Sequence, residues 1–269
     1  NAIFSPIKIS VPDATKLAII DGSFVMVMGE GAEVLTLTFD GGFVKTVNVT
    51  ISNIKEPLFN KGRGTQADPF MISTAEHFDN VRQFKYLYYK LNNDIDLTGI
   101  VWISIGSEEA PFTGGFDGNG YAINNLTGES LFGYIDGAKI KNLALNNATV
   151  TVENSDFAGL LALKAKDSTV TNCSTDNLIS NMEISLDANV QRNIGGLVGR
   201  ADNSTADNCK MWGSMEINVS NDITYLGGLI GYAYNTKIMN CIMTNLPINA
   251  GIADGAAYIG GFVGYAFLV

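Results

Sequence analysis

His77 is the only histidine among 269 residues. It could serve as a general base, since His is the side chain whose unperturbed titration lies near neutral pH, yet no Ser or Cys is placed beside it by the sequence. It lies within "STAEHFDNVRQF", where capping or surface packing is the simpler role. Carboxylates offer a second chemistry. "NNDIDL" carries Asp94 and Asp96, and "FDGNG" carries Asp117. Paired carboxylates can cleave glycosidic bonds, and Asp94 and Asp96 share a face if that segment is a strand. The same stretches are also turn and strand-end chemistry, so we expect no catalytic residue. A carbohydrate-active β-helix enzyme, lyase or glycosidase, is the alternative. Asp117-Gly118-Asn119-Gly120 lacks the further ligands and closing Glu of a calcium loop. Phosphate loops and zinc spacings are absent, so neither metal nor cofactor is expected. Three cysteines, Cys173, Cys209 and Cys241, make a poor disulfide framework and read as reduced, buried thiols.

Composition bounds the elements that would carry these groups. Hydrophobic residues make up 46% and charged residues 16%, which is a globular balance. The net charge of −10 argues against nucleic acid as a partner. No run approaches ~18 uninterrupted apolar residues, so no membrane span is expected. The sequence opens at Asn1 without Met, which fits a leader removed upstream.

Residues 1–57 carry alternating runs, "IKISV", "FVMVM", "EVLTLTF" and "VKTVNVTI". Turn signals at Pro12-Asp13, Asp21-Gly22, Gly29-Glu30-Gly31 and Gly41-Gly42 separate them. The pattern predicts about four antiparallel strands in a small sandwich-like domain. Pro57 and "NKGRGTQADP" mark the boundary to a second unit, 58–269. There Ser73 and Glu76 form a capping box. Ala75, Phe78, Val81 and Phe84 recur at helical spacing, predicting a short helix within 73–84 that caps the open end of the second unit.

From residue 86 onward the chain repeats. "LFGY" at 131–134, "LLAL" at 160–163, "LVGR" at 197–200, "LIGY" at 229–232 and "FVGY" at 262–265 align, with steps of 29 to 37 residues. The first four lead to Asn142-Leu143, Asn172-Cys173, Asn208-Cys209 and Asn240-Cys241 in turn. The units are short β-like runs, three to a repeat (195–201, 206–211 and 214–219 in one of them), too short for helical repeats. A period in this range predicts a β-solenoid of coils stacked ~4.8 Å apart. Equivalent positions then become ladders: an apolar one through Leu131, Leu160, Leu197, Leu229 and Phe262, and a small-residue one through Gly133, Ala162, Gly199, Gly231 and Gly264. The cysteines share a ladder with Leu143, and the Asn before them sits at a bend, stacking amide on amide.

"GRGTQADPFMISTAEHF", "YYKLNNDIDLTGIVWISIG", "PFTGGFDGNGYAINNLTG" and the Gly-Leu-Val-Gly and Gly-Leu-Ile-Gly phrases resemble the GLUG-repeat, adhesin-like surface proteins of bacteria, common in gut Bacteroidetes. The resemblance covers about residues 60–269. It implies a right-handed parallel β-helix in an exported, cell-surface protein, often lipid-anchored as a lipoprotein through a removed N-terminal segment. It brings no catalytic residues with it.

Alternation inside the glycine phrases yields one functional hypothesis. If Leu197, Gly199 and Ala201 point inward, Val198 and Arg200 point out. The same parity turns Phe132, Tyr134, Leu161, Leu163, Ile230, Tyr232, Val263 and Tyr265 outward. An exposed apolar and aromatic strip of this kind marks a contact surface, and the alternative is that a loop or the N-terminal domain covers it within the same molecule. The expected function is non-enzymatic adhesion to a glycan or an extracellular host or matrix protein, through Phe132, Tyr134, Arg200, Ile230, Tyr232, Val263 and Tyr265. A passive stalk is a further alternative, and the same strip or the coil ends would serve face-to-face or end-to-end pairing of copies.

Overall fold

The computed structural model describes residues 8–10, 17–20, 24–27, 31–39, 42–52, 58–153, 155–176, 178–185, 192–220, 224–245, 247–253 and 256–268. It is an all-β molecule with one short α-helix among the described residues. Lys8–Ser10, Gly31–Thr38 and Val44–Ile51 form an antiparallel three-stranded sheet. Leu17–Ile20 pairs antiparallel with Phe24–Val27, a strand beyond the four expected, because "LAII" has no polar alternation to mark it. The turns at Pro12-Asp13, Asp21-Gly22 and Gly29-Glu30, together with Gly41, Pro57 and Val269, lie outside the described residues.

From residue 70 onward the strand ladders are parallel, each strand bonding its equivalent in the coil before and the coil after. One sheet stacks seven strands from Phe70–Ile72 to Lys237–Met239. Another stacks five: Phe132–Asp136, Ala162–Lys166, Val198–Asp202, Ile230–Tyr234 and Val263–Phe267. This is the parallel β-solenoid that the glycine phrases predict. The pairings Phe132↔Ala162, Ala162↔Val198, Val198↔Ile230 and Ile230↔Val263 set repeat steps of 30, 36, 32 and 33 residues. The loops absorb the differences.

That register corrects the sequence alignment at one repeat. Ala162 stands opposite Val198, so Leu163, not Ala162, occupies the glycine row. The predicted run 195–201 is also two strands, Arg192–Gly195 and Val198–Asp202, turning at Gly196-Leu197. A coil therefore has four strands where three were expected. The glycines are the physical reason. A Cβ on Gly231 would overlap Ile194 N and lie 2.6 Å from Asn193 C and 2.7 Å from Gly199 O. On Gly199 it would lie 2.6 Å from Ala158 N and Leu163 O. The glycine row does not face the core; it is a seam where two strands press backbone against backbone. Leu163 is accommodated because the first strand of that neighbouring stack, Phe157–Ala158, belongs to its own coil.

The interior is continuous. Leu131, Leu160, Leu197 and Leu229 are buried, but Phe262, expected to follow them inward, is exposed in the last described coil; Leu143, Cys173 and Cys209 are buried on the ladder predicted for them. Asn142, Asn172, Asn208 and Asn240 adopt left-handed φ of 54°, 54°, 51° and 52°, which Asn tolerates better than other non-glycine residues. Asn172 Nδ2 donates to Asn142 Oδ1 at 3.0 Å, and Asn208 Nδ2 to Asn172 Oδ1 at 2.7 Å. Asn240 departs from this chain and donates to Asp207 at 2.8 Å.

Residues Ala75–Asp79 form the helix, continued by a 3-10 turn over Asn80–Gln83. Its cap is Thr74, whose hydroxyl accepts from His77 N at 3.1 Å, rather than Ser73. Ser73 N instead donates to His77 Nδ1 at 3.3 Å, so the imidazole takes the reciprocal role expected of Glu76. Phe78 and Val81 are buried, and the Phe78 ring stacks on Trp102 at 4.6 Å. Arg82 lies over the same indole at 4.9 Å and donates to the carbonyls of Ile103 and Ser104. The helix thus covers the apolar end of the first coils.

Candidate binding surface

The predicted catalytic candidates do not converge. His77 is buried as a cap. Asp94 Oδ1 accepts from Ala122 N at 2.8 Å. Asp96 Oδ1 accepts from Asn125, Thr98 N and Thr98 Oγ1, bonds that hold its carboxyl below the ordinary carboxylate range, Asn125 contributing most. Asp117 is pushed up by partial burial, but bonds from Asn142, Asn119 N and Lys141 outweigh this and leave it lowered. Each carboxylate is engaged in fastening one turn to the next. Among the described residues no three His, Cys, Asp or Glu side chains cluster as metal ligands.

The outward strip differs from the sequence-based expectation at its apolar members. Phe132 is fully buried, packing on Phe112 and Phe116. Ile230, Val198 and Leu161 are core residues too, and Val263 and Leu163 are half-buried against the core. Strict alternation fails because the chain turns at Gly196-Leu197 between two strands, so the consecutive residues Leu197 and Val198, like Leu229 and Ile230, are both buried. Parity resumes after it: Ala201 and Ala233 are buried, while Tyr134, Arg200, Tyr232 and Tyr265 reach the surface.

These four belong to a row that includes Lys164. A second row, from the stack across the seam, runs Phe157, Asn193, Tyr225 and Tyr258. The rows meet side by side. Tyr225 lies 5.8 Å from Tyr232, 4.8 Å from Tyr265 and 5.1 Å from Tyr258, and Tyr232 stacks on Tyr265 at 5.4 Å. Tyr265 is 38% exposed and Tyr258 51%. At the other end Tyr134 meets Phe157 edge-on at 6.3 Å, with Lys164 Nζ 5.9 Å and 5.8 Å from the two rings. Burial pushes the Tyr134 phenol up, helped by Glu108, Asp156 and Glu109. Tyr225 is raised by burial and by its three tyrosine neighbours. Both phenols are neutral donors near pH 7.

Arg200 links the two ends. Its guanidinium lies 4.9 Å from the Tyr232 centroid, and Nε donates to both Asp202 oxygens at 2.9 and 3.0 Å. Its Nη groups bond no described residue, which leaves their N–H donors for a ligand. Rings with open edges, phenol hydroxyls and a pre-oriented guanidinium together suit stacking and hydrogen bonding to a planar or polyhydroxylated group. They offer no nucleophile. The second row is not evident from the sequence, although it leaves a trace there. An aromatic residue stands two positions before the first glycine in "FAGLL", "YLGGLIG" and "YIGGFVG", with Asn193 in "NIGGLVG".

No protein-family model matches the chain. It is similar to a protein named Gly-rich membrane protein from Evansella cellulosilytica, 32% identical over 141 residues, spanning 44% of this chain and 16% of that one. It is also similar to the immunoglobulin A1 protease of Streptococcus sanguinis, 26% identical over 199 residues, spanning 68% of this chain and 10% of that one. The chain thus spans a small fraction of these much longer relatives. Among solved structures, an immunoglobulin A1 protease-like protein from Bacteroides ovatus aligns over 79% of this chain and 88% of its own, with 20% identity and a TM-score of 0.42. The relatives include membrane- and surface-associated proteins, and no described helix is long and apolar enough to cross a membrane.

Proposed function

We propose that this chain is a non-enzymatic binding module of an exported bacterial surface protein of the GLUG-repeat, adhesin-like kind, contacting a glycan or an extracellular protein. The observation that carries this reading is the tyrosine cluster of Tyr225, Tyr232, Tyr258 and Tyr265, with Arg200 beside it, its Nη groups bonded to no described residue. An open aromatic patch with adjacent hydrogen-bond donors is the composition of contact surfaces, where Tyr and Arg carry much of the energy. In this reading residues 1–57 are a separate sandwich-like unit, 58–269 is the binding solenoid, and the protein is tethered to the cell surface by lipid.

An enzyme is disfavoured by the state of the carboxylates. Asp94, Asp96 and Asp117 are each engaged by backbone or amide donors, which suits fastening turns and not proton transfer. The protease name belongs to a relative of which this chain matches a tenth. Substituting Tyr232→Ala together with Tyr265→Ala tests the proposal. Both side chains reach the surface, so the melting temperature should hold within a few degrees while adhesion to the ligand is lost. Retained adhesion refutes the strip as the contact face.

A further inference from the structure

A second site lies on the seven-stranded sheet, near the capped end of the solenoid. It is a cavity of about 130 Å³ among Gln66, Tyr88, Gly115, Asp117, Lys139 and Lys141. Gly115 lets the Tyr88 ring form one side of it: a Cβ at 115 would overlap that ring, which fills the space a side chain would take. One wall is a turn closed by reciprocal backbone bonds between Thr65 and Asp68, both 3.2 Å, and Tyr88 N donates to Gly64 O at 2.9 Å, so this wall is pinned to the sheet. The volume is far below the ~300 Å³ at which sites for drug-sized ligands begin. The cleft is open to solvent, so a single ring can seat one face there with the rest of it outside.

The charges define which ring. Lys141 Nζ sits 3.2 Å from Asp117 Oδ2, so that pair cancels. Lys139 has no ion pair among the described residues and is exposed. Among the described residues the cavity therefore carries one uncompensated positive charge, on a chain whose net charge is −10. A singly charged anionic group would neutralise it, whereas a dianion would leave excess negative charge beside the Asp117 carboxylate. Tyr88 and Pro69 supply an apolar face, and Gln66 supplies amide groups for hydroxyls. We propose that this cavity binds a single carboxylated sugar residue of the uronic-acid type, its ring against Tyr88 and its carboxylate on Lys139. The site is on a different sheet from the tyrosine strip and does not depend on the strip's function.

The test is a solution NMR titration of the whole chain with glucuronate, glucose and inorganic phosphate as probes. Glucuronate should bind at least about tenfold more tightly than glucose, the discrimination of one charge-assisted hydrogen bond, and should saturate resonances of Tyr88. Lys139→Gln should erase that preference, and Tyr88→Ala should weaken both sugars. Lys139 is exposed, so its substitution should leave the melting temperature unchanged. Equal binding of glucose and glucuronate overturns the proposal, as does absence of binding or insensitivity to Lys139→Gln. Phosphate competing as well as glucuronate would make this a plain anion site and also overturn it. Loss of glucuronate binding in the Tyr232→Ala, Tyr265→Ala variant would assign the sugar to the strip instead, against the proposal. Intact glucuronate binding in that variant, with adhesion lost, would separate the two sites.

Discussion

Replacing Gly231 by Ala introduces a methyl group into the seam that brings the two rows of the binding surface together. All three nearest atoms are backbone: Ile194 N, Asn193 C at 2.6 Å and Gly199 O at 2.7 Å. Ordinary contact begins near 3.4 Å, so the strand Arg192–Gly195 must retreat by roughly 0.8 Å or more, with no flexible side chain to absorb the shift. Overpacking of this kind costs about 1–3 kcal/mol, and the upper end applies because interior backbone has no slack. Gly261 is the control. It lies in the same phrase of the last described coil, yet a Cβ there meets nothing within 4 Å. Gly261→Ala should be neutral or stabilise by about 0.5 kcal/mol through the unfolded chain. For a protein of this size ~3 kcal/mol lowers the melting temperature by roughly 6–12 °C. Parallel thermal melts and urea titrations of the two variants measure the difference. Stabilities agreeing within about 0.5 kcal/mol would refute the seam, and with it the reason why the two rows lie side by side.

Asn172→Ala should cost about 2 kcal/mol, from a left-handed φ of 54° and two partly solvated amide bonds. Asn172→Gly should cost about half that, and equal losses would show that backbone angle is not what selects Asn. Burial holds the Cys173 thiol up at about 12, and hydrogen bonding to Cys241 together with burial raises Cys209. The same bond draws half-buried Cys241 down to about 7. Iodoacetamide at pH 8 should therefore label Cys241 first, with buried Cys173 and Cys209 both resisting, by peptide mass spectrometry, and uniform labelling contradicts the ladder. Asp96 and Asp117 are lowered in the folded state. Below about pH 4 the unfolded chain binds more protons, so the stability these groups supply, complete above that range, is lost as pH falls through their folded values. Asp117→Asn should flatten the acid limb of a urea-midpoint profile, and an unchanged limb would contradict the role of these fastenings.

Much of this architecture is legible in the residues. Leu143, Cys173 and Cys209 declare one inward ladder because a parallel stack forces equivalent positions to share an environment. The Asn before each declares a bend because few other residues accept its backbone angle. The contact surface is only half legible. Strict alternation places Phe132 and Ile230 outside, but alternation assumes an uninterrupted strand, and the turn inside the glycine phrase interrupts it. Phe157, Tyr225 and Tyr258 are hidden from such a reading because their row comes from a different strand. Only the register shows that it borders Tyr134, Tyr232 and Tyr265. The helix cap falls one residue away from expectation, since "ST" offers two hydroxyls and His77 decides between them through its own bond to Ser73.

A screen of the purified chain against immobilised glycans and mucins, with product analysis on every hit, tests the central claim most directly. Binding without cleavage, lost in the Tyr232→Ala, Tyr265→Ala variant and retained when Asp94 and Asp96 are replaced by Asn, is the predicted result. Released product, abolished by those Asn substitutions and indifferent to the tyrosines, would contradict it.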